Sequence, residues 1–343
     1  MRVIVFALVA AGCGFHAGAT SSDGPPVIAD TGSDAGSDAA IDGPADARPD
    51  APRDAGHDAM IDAPVSCFGA WDGTNQPTFG TPMPLAAAPN LSQSVDTTFS
   101  ERDPFLSDDE LNIYFSRGGA SNDIYVGVRA STSDPFVVET NPLTNVSSTG
   151  DDGKLSFDHA NHTVLATTAG GGDVHAVGST RTAIDAFGPT NQTHLGAVNA
   201  DMTKIFDTEI APDGLRLYFA AEPDGANQHQ NIRFARRNTT SDDWTMVADV
   251  GGVNSGTGDA DPTVANGDLL ILFSSRRAGN GDADLYYATR AHRDDAFGTP
   301  VALGTLDTAD DDGDPWLSTD GCRLYFASDR GGDWDIYEVD VQP

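Results

Sequence analysis

The chain has 343 residues, 52 of them Asp or Glu and 19 Lys or Arg, for a formal net charge of −33, with lysine only at Lys154 and Lys204. That balance excludes a generic nucleic-acid binder, which needs clustered Lys and Arg. The 39% apolar content, 37 Gly, 20 Pro and three Cys describe a turn-rich chain with neither a disulfide framework nor a zinc cluster.

In chain order, the first element is MRVIVFALVAAGC: one basic residue, Arg2, an apolar run from Val3 to Ala11, then small residues before Cys13. The run is too short to span a bilayer and suits a signal peptide of residues 1–12. Ala10-Ala11-Gly12-Cys13 resembles the lipobox of bacterial lipoproteins, with Ala at the position where Leu is commoner. The resemblance implies cleavage before Cys13, lipidation of its thiol, and anchoring in the outer membrane, facing the periplasm or the cell surface.

Residues 13–66 follow as a tether. Asp recurs every fourth residue from Asp30 to Asp62, with Ala, Gly and Pro in most gaps. On a helix this spacing would stack like charges, and the prolines break the hydrogen-bond ladder, so a solvated, self-repelling linker is expected.

From residue 101 a pattern recurs, most clearly as DPWLSTDGCRLYFASDRGGDWDIY at 314–337. Copies begin at Asp103, Glu209 and Asp261, with a degenerate one at Asp152. Taking Phe115, Val164, Phe219, Phe273 and Phe326 as anchors, the spacings are 49, 55, 54 and 53. A period near fifty built from short strands and Asp-Gly turns predicts a propeller. Each copy supplies three strands, and a fourth follows an aromatic landmark at Phe136, Phe187, Trp244 or Phe297. The last copy has no landmark after it, whereas FGTPMPL from Phe79 matches FGTPVAL from Phe297 but precedes the first copy. A ring explains the permutation: the N-terminal segment becomes the outer strand of the last blade. The expected fold of residues 67–343 is therefore all-β, a five-bladed propeller of four-stranded antiparallel blades, with six blades the alternative, and one chain suffices to close it.

The repeat D-P-x-x-S-x-D-G-x-x-L-Y-F-x-S-x-R-x-G-x-x-D-I-Y resembles the TolB-like, or WD-like, propeller repeat, and the coupled F-G-x-P-x-x-L looks like the version common in secreted myxobacterial proteins. The resemblance spans residues 79–343. It implies a propeller and, in many relatives, a protein-binding role in the envelope, but no chemistry.

Candidate site residues are the acids that open the repeats: Asp103, Asp152, Glu209, Asp261 and Asp314. Equivalent positions in a ring share one height, so these five are expected to line one rim of the channel, with Glu101, Asp207, Asp259 and Asp312 two residues earlier in four blades. Such a rim suits Ca²⁺; the competing expectation is that each acid bonds backbone N–H groups of its own or the next blade, or pairs with Arg102, Arg117, Arg276, Arg277 or Arg330. No other cofactor is expected. Arg102-Asp103-Pro104 also resembles the opening motif of arabinanase-like glycoside hydrolases, which would make Asp103, Asp152 and Glu209 base, modulator and acid. His159, His162 and His175 fall in the second repeat, where divergence explains them better than a metal. Cys67 and Cys322 would share an oxidising compartment, at the two sides of the ring closure, and are expected to pair. The functional expectation is an envelope lipoprotein whose propeller binds a protein or glycan without catalysis, with membrane contact through the lipid alone and no nucleic-acid partner; the hydrolase is the alternative.

Overall fold

A computed structural model describes residues 66–90, 93–118, 121–168, 174–200, 202–223 and 229–342. Cys13, the signal segment and the aspartate series lie outside the described residues.

The repeats fold as hairpins because each pairs an apolar run with a turn that tolerates a left-handed residue. At that turn Glu110, Asn161, Gly214 and Gly321 have φ between 56° and 76°, and their amides bond back to Ser107, Asp158, Ala211 and Ser318. β1 (Met83–Pro84) belongs to the last sheet, described below. Blade one is β2 (Glu101–Leu106), β3 (Asn112–Arg117), β4 (Asp123–Val128) and β5 (Val137–Val138). Blade two is β6 (Asp152–Phe157), β7 (His162–Thr168), β8 (Val174–Ala183) and β9 (Ala186–Phe187). Blade three is β10 (Met202–Ile210), β11 (Arg216–Pro223), β12 (Asn231–Arg236) and β13 (Thr245–Asp249). Blade four is β14 (Asp259–Ala265), β15 (Leu270–Ser275), β16 (Asp284–Thr289) and β17 (Val301–Ala302), and the last sheet adds β18 (Asp312–Leu317), β19 (Arg323–Ser328) and β20 (Asp335–Asp340).

Within the first four units the strands pair antiparallel in sequence order, and the last runs β18-β19-β20-β1. One parallel bridge, Lys204 to Val174, joins blades two and three into an eight-stranded sheet. The strands thus group, among the described residues, into five four-stranded units. Their inner strands touch in a cycle: β2 against β6, β6 against β10, β10 against β14, β14 against β18, and β18 against β2. The apolar core is distributed between neighbouring blades. Phe105 and Tyr114 of blade one meet Trp316 and Tyr325 of the last, and Phe273 of blade four meets Tyr218 of blade three.

The ring closes across the termini. β1 pairs β20 through Met83–Glu338 and Pro84–Tyr337, and Phe79 bridges Val341, so the permuted FGTPMPL segment is the outer strand of the last blade. Cys67 and Cys322 form a disulfide across this seam, their Cα atoms 4.9 Å apart. The Trp71 indole N–H donates to the Gly321 carbonyl beside it.

An arginine ladder explains the S-x-R part of the repeat in blade four and the last blade, and in blade one Arg117, at the Ser position, takes the same place. Arg117, Arg277 and Arg330 each lie over two rings of their own blade, such as Phe326 and Tyr337 at 5.1 and 5.0 Å from Arg330. Each also pairs with the acid that opens the inner strand, Glu101 at 2.9 Å, Asp259 at 2.6 Å and Asp312 at 2.5 Å. The landmark aromatics serve similarly, with Arg129 over Phe136, Arg237 over Trp244 and Arg290 over Phe297.

Candidate functional site: the acidic bore and its mouth

Each inner strand carries a register shift at the same height. The shifts fall between Arg102 and Phe105, Asp152 and Leu155, Phe206 and Glu209, Ala260 and Thr263, and Gly313 and Trp316. In four blades the shift contains an aspartate in the left-handed region: Asp103, Asp207, Asp261 and Asp314, with φ from 49° to 57°. Asp tolerates that region better than most residues. Pro104, Pro262 and Pro315 follow three of them; a bulge leaves backbone groups out of the ladder, which suits a residue with no N–H. The repeated Asp-Pro is therefore a bulge signature that turns a carboxyl toward the axis.

Oxygens of Asp103, Asp207 and Asp314 lie within 4.8 Å of one another. Ser116 Oγ donates to Asp103 at 2.6 Å, Ser274 Oγ to Asp261 at 2.5 Å, and the Asp314 amide to Asp261 at 3.2 Å. Arg102 Nε stands 2.8 Å from Asp314 Oδ2, its guanidinium 4.1 Å from the centre of the Trp334 ring. These contacts divide the protonation states. Burial, then the Asp314 charge, push Asp103 up to about 7. Burial and the three neighbouring carboxylates hold Asp207 well above the usual range, and burial and Asp314 also raise Asp261. Burial would raise Asp314 too, but Arg102 outweighs it and keeps this carboxyl below its ordinary value. The bore thus holds one acid that Arg102 shifts toward its ionised form and three that burial shifts toward the protonated form.

Two of the expected rim residues are not in this cluster. Asp152 belongs with Glu101, Asp259 and Asp312: like them, it accepts from the amide four residues earlier, here Ser148 at 2.6 Å. Two offsets of one residue each cause this: the first turn of blade two is shorter, and Leu165, two past the Phe157–Thr163 pair as Phe115 is two past Leu106–Ile113, stands in the place of the other anchors instead of Val164. In that turn the Asp158 amide bonds the carbonyl four residues on, whereas Ser107, Ala211 and Ser318 bond five residues on. Two residues beyond Asp152, where the other blades place the axial acid, stands Lys154. Glu209 lies two residues past the true blade-three acid, Asp207, and binds Lys154 at 3.1 Å. Counting back twelve residues from Phe219, as separates Asp103, Asp261 and Asp314 from their anchors, would have found Asp207. Lys154 is buried, donating also to Pro262 O at 2.9 Å and Thr263 Oγ1 at 2.5 Å.

Oxygen ligands suit a hard cation, and Asp103, Asp207 and Asp314 are the residues that could offer them. Yet the cluster already contains Arg102, 2.8 Å from Asp314, and burial shifts its other acids toward their neutral form, so less negative charge is left for an ion to balance. The histidines do not converge: His159 faces Asp108 at 3.1 Å and His162 faces Asp158 at 2.8 Å.

Above the bore opens a cavity of about 670 Å³, walled by Asp103, Asp152, Lys204, Asp207, Arg276 and Trp334 among others. Glu209 does not reach it; it lines a different cavity, among the residues that end the inner strands. The expected catalytic set of Asp103, Asp152 and Glu209 is therefore divided between two ends of the channel. Asp103 and Asp207, shifted toward the protonated form, do lie within 4.8 Å of Asp314, shifted toward the ionised form, an arrangement suited to donating and accepting a proton.

No protein-family model and no curated protein matches the sequence. Among solved structures, a thermostable family-43 glycoside hydrolase superposes with a TM-score of 0.52 at 13% identity, over 73% of this chain and 95% of that one. An endo-arabinase from Bacteroides thetaiotaomicron gives 0.49 at 14% over 73% and 98%, and TolB from Acinetobacter baumannii 0.44 at 12% over 71% and 54%. The first likeness is one of propeller fold.

Proposed function

We propose that the protein is a lipid-anchored envelope protein whose propeller holds a partner at the acidic mouth without transforming it. What supports this reading is that the bore acids already serve one another and their own blades. Asp103 is held by Ser116, Asp261 by Ser274 and Asp314 by Arg102, which leaves the walls of the cavity, more than its floor, to meet a ligand. Those walls include Asp151 and Asp311 beside Arg276 and Lys204, on a chain of net charge −33. The partner class is a basic protein segment, with a glycan the other candidate. The full chain, immobilised and exposed to envelope extract, should retain a partner that salt releases, and Asp311→Asn should weaken retention severalfold. Retention indifferent to both salt and the variant would refute an acidic docking mouth. The lipid anchor predicts partition into detergent for the wild type and into the aqueous phase for Cys13→Ser, because one acyl chain binds marginally and two bind firmly.

A hydrolase remains the second reading, favoured by Asp207, which burial shifts toward its protonated form, beside Asp314, which Arg102 shifts toward its ionised form. Release of reducing sugar from arabinan, abolished by Asp207→Asn, would put this reading in place of the first.

A further inference from the structure

Four arginines hold one place in the third strand of a blade or just after it: the amides of Arg129, Arg181, Arg237 and Arg290 bond Leu111, Asn161, Leu215 and Leu269 of the second strand's start. At three seams this arginine ties its blade to the preceding one through a tyrosine hydroxyl. Arg129 Nη2 donates to Tyr325 at 2.9 Å, Arg181 Nη1 to Tyr114 at 3.0 Å, and Arg290 Nη2 to Tyr218 at 2.8 Å. Each of these tyrosines directly precedes its blade's anchor. In blade two that place, just before Leu165, is held by Val164, and its partner across the strands is Gly178. Blade four has Leu272 there, but the blade after it has Val341 where the arginine would be, and both side chains join one apolar cluster. At the seam of blades two and three the tyrosine is gone and the arginine remains.

That arginine, Arg237, has donors without acceptors. Its guanidinium lies over the Trp244 ring at 4.2 Å and its Nε donates to Gly214 O at 2.7 Å. Nη2, the atom that meets tyrosine in Arg129 and Arg290, is buried with no partner. Among the described residues Arg237 forms no ion pair, and burial, only partly offset by the charges of Asp158 and Asp242, lowers its pKa below the usual arginine value. Beside it lies a cavity of about 410 Å³, with Val164, Gly178, Leu195 and Trp244 in its wall. No Asp or Glu is among its lining residues, whereas the acidic mouth and the cavity that Glu209 lines each carry several. His162 and His194 also line it, but each faces its own acid, Asp158 at 2.8 Å and Asp243 at 2.7 Å. Arg237 is the permanent cation there without one.

A buried charged donor left without an acceptor is costly, and a carboxylate is the acceptor that suits a guanidinium best. A cavity of this size takes a small molecule. The other seams show the shape that fits: an aromatic ring carrying an oxygen. We infer that the seam of blades two and three is a second ligand site, for a small aromatic acid whose ring takes the space that tyrosine fills at the other seams and whose carboxylate accepts from Arg237. The inference stands apart from the partner at the acidic mouth, since the two cavities share no lining residue.

Titration calorimetry of the full chain with benzoate, benzyl alcohol, benzylammonium and acetate separates charge from shape without any mutation. Benzoate should bind saturably and at least tenfold more tightly than benzyl alcohol or acetate, with no detectable benzylammonium binding. Val164→Tyr, which puts the phenol back, should abolish benzoate binding. Arg237→Met should weaken it at least tenfold, while Arg290→Met, at a seam where Tyr218 is already the partner, should leave it unchanged. Equal affinity for benzoate and benzyl alcohol, no saturable benzoate binding at millimolar concentration, wild-type affinity in Val164→Tyr, or equal losses in the two arginine variants would each overturn the assignment. The ligand series uses wild-type protein, so a misfolded variant would not rescue a failed inference. Retention of an envelope partner should be unchanged by saturating benzoate at constant ionic strength, which keeps failure at one site distinct from failure at the other.

Discussion

Reducing the Cys67–Cys322 disulfide should lower the melting temperature by about 8 °C while leaving the native fold in place. The bridge spans 255 residues of sequence, and closing a loop of that length removes about 5 kcal/mol of unfolded-chain entropy in the chain-entropy treatment. A domain the size of residues 67–343 unfolds with an entropy of about 0.6 kcal/mol per kelvin, which converts the free energy to the stated shift. The folded seam has other holds: the Cys67 amide donates to Asp320 O at 2.9 Å, the Val341 amide to Cys322 O at 2.7 Å, and β1 stays paired with β20. The loss therefore acts mainly through the unfolded state, and far-ultraviolet circular dichroism at 25 °C should not change. The assay is a thermal melt with and without dithiothreitol, on wild type and on Cys67→Ser/Cys322→Ser. Only the wild type should respond to the reductant. A wild-type shift below about 2 °C, or an equal shift in the double variant, would refute the argument that this bond staples the ring.

Stability should rise as pH falls from 8 to 5. Asp103, Asp307 and Asp335 are each pushed up to about 7, chiefly by burial and then by a neighbouring carboxylate. The native chain keeps protons that the unfolded chain releases above about 4, so stability declines as pH climbs through that window. Thermal melts across pH 5–8 should show this slope, flattened in Asp103→Asn; a melting temperature that increases with pH contradicts it. Arg117→Met should cost about 3 kcal/mol in urea unfolding, since it leaves the fully buried Glu101 without its cation. The figure is at the low end because burial already raises Glu101 toward its neutral form, and adding Glu101→Leu should recover most of it; an unchanged midpoint in Arg117→Met would sink the ladder's structural role. Calcium at millimolar concentration, added after chelator treatment, should leave the melting temperature within about 1 °C. A hundredfold excess over Kd at a native-state site would add about 2.7 kcal/mol, so a rise of several degrees would mean that the bore acids do ligate a cation.

By itself the sequence determined the period, the strand triplets, the landmark aromatics and the ring closure, because each depends on local chemistry or on a repeated string. Turn residues, apolar runs and the match of Phe79 with Phe297 are readable letter by letter. Two cysteines at the sides of one seam are readable too, once the permutation is seen. Which acids share the axis was decided only in three dimensions. A strand's side chains alternate faces, so one inserted residue sends the next carboxyl to the other side. Blade two has a first turn one residue shorter and its anchor at Leu165, one past Val164, and together these put Lys154, not Asp152, in the axial place. Blade three has no proline to mark its bulge, which hides Asp207 and draws attention to Glu209. The cavity at the seam of blades two and three was hidden for a further reason: Val164 stands in one blade and Arg237, which it leaves without a phenol, in the next. Packing of neighbouring blades around a common axis is what sets one against the other.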